Sequence, residues 1–250
     1  MPAPMVIANW KMNGSLIGNA SLLHQILSGS DAFEHLEVGI CPPFPYLEQV
    51  SEQVSHSRIN LGAQNVSAFQ SGAYTGETSA AMLKDLGCRY VLLGHSERRQ
   101  LFQESDHQVA AKFEAALSAG LQPVLCIGET LEQRQREETG RVVSTQIQSV
   151  IDHVGIQGFT NAVIAYEPVW AIGTGQTATP EQAQEVHAHI RQLLTGYDAS
   201  IASQVHILYG GSVNAANARS LFSQKDIDGG LVGGASLKPN DFLDICRSAS

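Results

Sequence analysis

The sequence predicts a single (β/α)8 barrel over residues 1–250, on three observations. Short apolar, β-rich runs recur eight times along the chain. Segments with helical spacing separate them. The repeat, about 31 residues long, suits a βα unit and runs without a Pro/Ser-rich linker or a low-complexity tract. An open, doubly wound sheet has the same alternation, and pattern alone does not distinguish closure from a free edge.

In chain order the predicted strands are Met5–Asn9, Glu37–Cys41, Ile59–Gln64, Tyr90–Gly94, Leu121–Ile127, Ala162–Tyr166, Val205–Tyr209 and Gly229–Val232. Most are continuously apolar rather than alternating, as strands covered on both faces should be. Leu16, Leu22, Leu23, Ile26 and Leu27 put an apolar face on a helix after the first strand. The run from Asp106 to Leu117 does the same and reaches a stop near Gly120. Thr179 followed by Pro180 reads as a cap and first turn, opening a helix to about Leu194.

Composition excludes several function classes. Lys and Arg number 15 against 24 Asp and Glu, a formal charge of −9, which leaves no basic excess for nucleic acid or an anionic membrane. No apolar run approaches the roughly 18 residues that span a bilayer. The first residues lack a basic stretch ahead of an apolar one, so no signal peptide is expected. Cys41, Cys88, Cys126 and Cys246 are far apart and mostly in apolar surroundings, as buried thiols of a reducing compartment would be. A cytoplasmic protein is expected.

Functional groups of a parallel barrel stand where strands end. Here the first ends in Asn9-Trp10-Lys11, the fourth in Gly94-His95-Ser96-Glu97-Arg98-Arg99 and the sixth in Ala165-Tyr166-Glu167-Pro168. The seventh and eighth end in Tyr209-Gly210-Gly211-Ser212 and Leu231-Val232-Gly233-Gly234-Ala235-Ser236. A base, a hydrogen-bond donor, a fixed cation and two Gly-rich turns thus share one rim. That set suits proton abstraction beside a carbonyl in a phosphorylated substrate.

With Asn13, and with Val169-Trp170-Ala171-Ile172-Gly173-Thr174-Gly175 after Pro168, these stretches resemble the triosephosphate isomerase family from the first strand to the last. The resemblance implies a glycolytic and gluconeogenic isomerase that interconverts dihydroxyacetone phosphate and D-glyceraldehyde 3-phosphate through an enediolate. It implies no cofactor and no metal. Glu167 is then the base and His95 the donor to the substrate oxygens. Lys11 supplies positive charge, with Asn9 orienting it and donating to substrate. Glu97 lies near Lys11 by the same resemblance; an ion pair with Arg98 or Arg99 is the alternative. Ile172, Gly173, Ser212, Leu231, Gly233 and Gly234 are the implied substrate contacts, the glycines and Ser212 holding phosphate on backbone N–H groups.

Val169–Gly175 reads as a lid over the substrate. The family often carries Lys where this chain has Gln176, which touches lid kinetics rather than chemistry. The long loop from Ala63 to Glu77 is too long to be a plain connection. In the family it enters a partner subunit near Thr75, so a homodimer is implied.

Gly173-Thr174-Gly175-Gln176-Thr177-Ala178 fits a dinucleotide fingerprint, but it lies several residues past its strand and short of its helix. His187 and His189, two apart on a helix, face different ways and make a poor metal pair. A barrel that binds phosphosugars without turning them over is the rival from another class.

Overall fold

The apolar runs form strands with one buried face turned inward and the other outward. In the computed structural model, which describes residues 3–172 and 177–249, they are β1 (Met5–Asn9), β2 (Glu37–Cys41), β3 (Ile59–Ala63), β4 (Tyr90–Leu93), β5 (Gln122–Ile127), β6 (Val163–Tyr166), β7 (His206–Tyr209) and β8 (Gly229–Val232). Each pairs in parallel with the next, and β8 returns to β1 from Met5↔Gly229 to Ala8↔Val232, closing the barrel. Closure removes the open-sheet alternative. Observed strand ends lie within a residue of those predicted.

Around the strands run α1 (Leu16–Ser28), α2 (Leu47–Val54), α3 (Ala80–Asp85), α4 (Ser96–Leu101), α5 (Asp106–Ser118), α6 (Leu131–Gln135), α7 (Thr139–Val154), α8 (Pro180–Tyr197), α9 (Ala199–Gln204), α10 (Ala218–Phe222) and α11 (Pro239–Ala249). Capping decides where two of the long ones start. Ser105 with Gln108 closes a capping box on α5, and Thr179 with Gln182 does so on α8, with Pro180 in its first turn.

Two buried layers result. Met5, Ile7, Cys41, Tyr90, Leu92, Val124, Cys126, Val163, Ala165, Leu208 and Leu231 form one cluster, the barrel interior. Their alternate neighbours, among them Val6, Val38, Val91, Leu125, Ile164 and Ile207, join helix residues such as Leu23, Phe113, Ile147, Ile190 and Phe242 in a second. Both faces are dry, so the strands read as continuous apolar runs. Truncating Phe113, which packs on Phe159 with ring centroids 5.3 Å apart, should cost about 3–5 kcal/mol.

One expectation needs correction: Leu16, placed on the apolar face of α1, is 60% exposed, while Leu23 and Ile26 carry the buried face. A helix does not follow the β7 turn directly, because Asn214 and Asn217 first build a side-chain-bonded turn that delays α10 to Ala218. After β8 a single 3-10 turn, Gly234–Leu237, does start at once.

Candidate active site

Period-two alternation carries polar groups from the barrel interior to its rim. Asn9 continues the inward set Met5, Ile7; Glu167 continues Val163, Ala165. With Lys11, His95, Ile172, Ser212, Leu231, Gly233 and Gly234 they line one cavity of about 400 Å³, which Gly210, Gly211, Val213 and Ala235 complete. Glu97 does not line it but holds Lys11, Oε1 to Nζ at 2.6 Å. Arg98 pairs instead with Glu104, and Arg99 with Asp106, so the alternative ion pair for Glu97 is not formed. Gly173, Gln176 and the rest of residues 173–176, through which the expected lid runs, lie outside the described residues.

Lys11 has φ +52°, a left-handed backbone that a residue with a side chain adopts only at a cost of about 1–3 kcal/mol. Three bonds hold it there. Its N–H donates to Asn9 Oδ1 at 3.0 Å, its carbonyl accepts from Gln64 Nε2 at 2.8 Å, and the same Gln64 amide reaches the Cys41 carbonyl at 2.9 Å. Asn9 thus orients the Lys11 backbone, and Glu97 orients its ammonium.

His95 caps α4: its Nδ1 accepts the Glu97 N–H at 3.2 Å. In the neutral ring that leaves the proton on Nε2, which donates to Glu167 Oε1 at 2.9 Å. Glu167 Oε2 accepts the Ser96 N–H at 2.9 Å, and the residue is 2% exposed. Burial pushes the Glu167 carboxyl up, but His95, the Ser96 N–H and Lys11 outweigh it and hold its pKa below the usual carboxylate range. Burial pushes the His95 ring down, but the Glu167 and Glu97 carboxylates raise its pKa above the ordinary value.

Two glycines make room for this carboxylate. A Cβ on Gly128 would meet the Glu167 carbonyl oxygen at 1.8 Å, and one on Gly210 would meet Glu167 Cγ at 2.9 Å. Any side chain at Gly128 displaces the Glu167 backbone. Below the pair, burial pushes the Cys126 thiol well up, as it does Cys41 on the opposite wall, and all four cysteines are free and buried.

On the other side of the cavity, Ser212 Oγ donates to the Ala171 carbonyl at 2.7 Å, and Asn217 Nδ2 to the Ser212 carbonyl at 3.0 Å. Ser236 folds back on the Gly233 carbonyl through both N–H, at 2.8 Å, and Oγ, at 2.6 Å. These bonds shape two turns whose glycines present backbone to the cavity.

The dinucleotide reading fails on placement: β6 ends at Tyr166 and α8 starts at Pro180, so no tight turn joins them. His187 is fully buried on the Asp226 carbonyl, whereas exposed His189 meets Ser144 Oγ at 2.9 Å. Among the described residues no three His, Cys, Asp or Glu side chains form a metal-ligand group. Gln64, the Ser96 N–H, Val213 and Ala235 were given no role by the sequence reading, although Ser96 and Ala235 lie in the strand-end stretches it singled out. Only proximity in the chain to Ala63 and to His95 could have flagged the first two.

This geometry agrees with the chain's relatives. The sequence model of the family described as Triosephosphate isomerase matches residues 4–249. The chain is 55% identical to the triosephosphate isomerase of Dechloromonas aromatica (strain RCB) over 250 residues, with 100% of each chain covered. It is 54% identical to that of Thiobacillus denitrificans (strain ATCC 25259 / T1), again with 100% of each covered. With that of Nitrosomonas europaea the identity is 52% over 247 residues, 99% of this chain and 98% of the relative. On the barrel, its cavity and these full-length matches, the chain belongs to the triosephosphate isomerase family.

Proposed function

We propose that this protein interconverts dihydroxyacetone phosphate and D-glyceraldehyde 3-phosphate by proton transfer. The observation that carries the reading is Glu167 and His95 joined at 2.9 Å in a cavity that also holds Lys11. A bound triose takes over the Nε2–H that Glu167 now accepts. Glu167 then removes a proton from the carbon beside the carbonyl, the electron pair moves onto oxygen, and His95 donates to that oxygen as the enediolate forms. The hydroxyl proton passes from one substrate oxygen to the other by way of His95 Nε2, and Glu167 returns its own proton to the neighbouring carbon, so atoms and charge balance without a co-reactant. Lys11 attracts the anionic substrate against the −9 charge of the whole chain. Asn9 and Ile172 flank the triose, and the backbone of Ser212, Gly233 and Gly234 receives its phosphate above Leu231.

The direct test follows glyceraldehyde 3-phosphate in quenched samples, without nicotinamide and with a chelator present. Appearance of dihydroxyacetone phosphate is expected. Tight binding of a phosphate analogue with no turnover would replace the reading with that of a non-catalytic phosphosugar-binding barrel.

We also propose a homodimer through the loop around Thr75. Among the described residues, and apart from Leu131 and Tyr197, the exposed large apolar side chains all follow β1 to β4: Met12, Leu16, Ile17, Phe44, Phe69, Tyr74, Met82, Leu101 and Phe102. Phe69 and Tyr74 stack at 4.0 Å beside exposed Thr75 and stiffen the loop. Such a concentration in one sector of a barrel calls for a partner surface. A Gly-Ser replacement of residues 73–76 should lower both the dimer fraction in sedimentation and the activity; a fully active monomer would refute the interface. Four buried free thiols and the absence, among the described residues, of a helix long and apolar enough to cross a membrane support a cytoplasmic setting.

A further inference from the structure

His95 and Glu167 stand on strands that do not touch. β4 and β6 are separated by β5, so the 2.9 Å contact between the two side chains depends on how each outer strand is tied to the middle one. On the β6 side the tie is the backbone: Cys126 pairs with Ala165, Ile127 with Tyr166, and the Glu167 N–H donates to the Ile127 carbonyl at 2.7 Å. On the β4 side the paired register stops earlier, at Leu93↔Leu125. The chain then turns away at Gly94, whose φ is +66°, and His95 begins the next helix.

One side chain spans the place where that pairing ends. Arg99, in the last turn of α4, donates from Nε to the Gly94 carbonyl at 2.7 Å and from Nη2 to the Cys126 carbonyl at 3.3 Å. Its Nη1 pairs with Asp106, the first residue of α5, whose position the Ser105–Gln108 capping box determines. The guanidinium lies against Gly94 so closely that a Cβ there would meet Nη2 at 2.8 Å. Only a planar fork with several donors can serve two carbonyls and a carboxylate at once.

We infer that Arg99 is a positioning residue for the acid–base pair: by tying the end of β4 to the end of β5 it sets the gap across which His95 meets Glu167. The inference rests on the isomerase reading above. It gives a role to an arginine outside the cavity. The same tie orients the Ser96 N–H that holds the second Glu167 oxygen, because Ser96 follows His95 at the head of α4.

The test compares Arg99→Met and Arg99→Lys with the parent, using kcat, KM and the His95 Nε2–H resonance in proton NMR. For Arg99→Met, kcat should fall about 10- to 100-fold with KM within about threefold, since a shift near 1 Å between reacting groups acts on the chemical step. The resonance should move as the bond to Glu167 lengthens. Arg99→Lys, which keeps the charge and one donor group, should recover part of the loss. A folded Arg99→Met with parental kcat, or with its loss confined to KM, would overturn the inference. If Arg99→Met does not fold, Asp106→Asn keeps the arginine but slackens its third anchor. A shifted resonance and a kcat lowered about two- to fivefold are then expected, and parental values for both would overturn the inference. Glu167→Gln, run in parallel, separates the two levels: if it is active, the acid–base reading fails, whereas an inactive Glu167→Gln beside a fully active Arg99→Met defeats only the role of Arg99.

Discussion

Two glutamates are buried at neighbouring strand ends, and they are held in opposite ways. Glu129, just past β5, is 0% exposed, and its Oε1 accepts from Tyr166 Oη at 3.1 Å, Trp170 Nε1 at 2.9 Å and Arg134 Nη1 at 3.3 Å. Glu167, just past β6, rests on one imidazole and one backbone N–H and faces a cavity. The first has a permanent cation as partner, stacked in turn on Trp170 with its guanidinium 4.7 Å from the ring centroid. The second has a partner that can turn to an incoming oxygen. On the proposed reading, burial therefore does not mark a base. What marks one is a carboxylate whose donors are exchangeable for substrate.

The comparison breaks if Glu167→Gln keeps its activity. The amide preserves size and one acceptor oxygen but cannot take a proton, so kcat should fall by about 10³-fold with the fold intact, measured by steady-state kinetics alongside circular dichroism.

Next in size is a control behind both glutamates. His187 packs edge-on to Tyr166, ring centroids 5.8 Å apart, and burial drives its pKa down to about 4. A lowered folded pKa means that the unfolded chain takes up the proton first, so stability falls from pH 6.5 towards 4 and levels off below. The His187 contribution is about 3 kcal/mol over that window. His187→Gln should flatten the pH dependence of the urea midpoint there, and an unchanged slope would show that other groups cause it.

Glu129→Gln should leave kcat within about tenfold of the parent but cost roughly 2 kcal/mol in urea unfolding, because Arg134 loses its counter-charge. A collapse of kcat comparable to that of Glu167→Gln would erase the distinction. The smallest effect is a titration. With the Glu167 carboxylate removed, burial acts on His95 with less opposition, so in Glu167→Gln the ring's pKa should fall relative to the parent, read by 15N NMR. A rise would contradict the assigned balance of charges.

Much of this was legible in the chain. Strands buried on both faces announce themselves as unbroken apolar runs, and Asn9, Lys11, His95 and Glu167 lay where such runs stop. What escaped was held by backbone. Gln64 and Arg99 act on carbonyl oxygens, which every residue has, so no residue pattern points to their targets. The left-handed turn at Lys11 was hidden for a related reason, since a lysine carries no signal of positive φ as glycine does. Leu16 fitted an amphipathic period and proved exposed, because periodicity reports an apolar face without saying what covers it.

The seam between β1 and β8 has a consequence for the way the molecule is made. Met5 meets Gly229 there, so a ribosome must make everything up to residue 229 before the first strand gains a second neighbour. Until then β1 can pair with β2 alone, its other edge open to any strand it encounters. Loop entropy adds little to this delay, about 0.6 kcal/mol for each doubling of length. The hazard is exposure time, and a chain cut short before β8 would carry two unpaired edges that only aggregation or another molecule could cover.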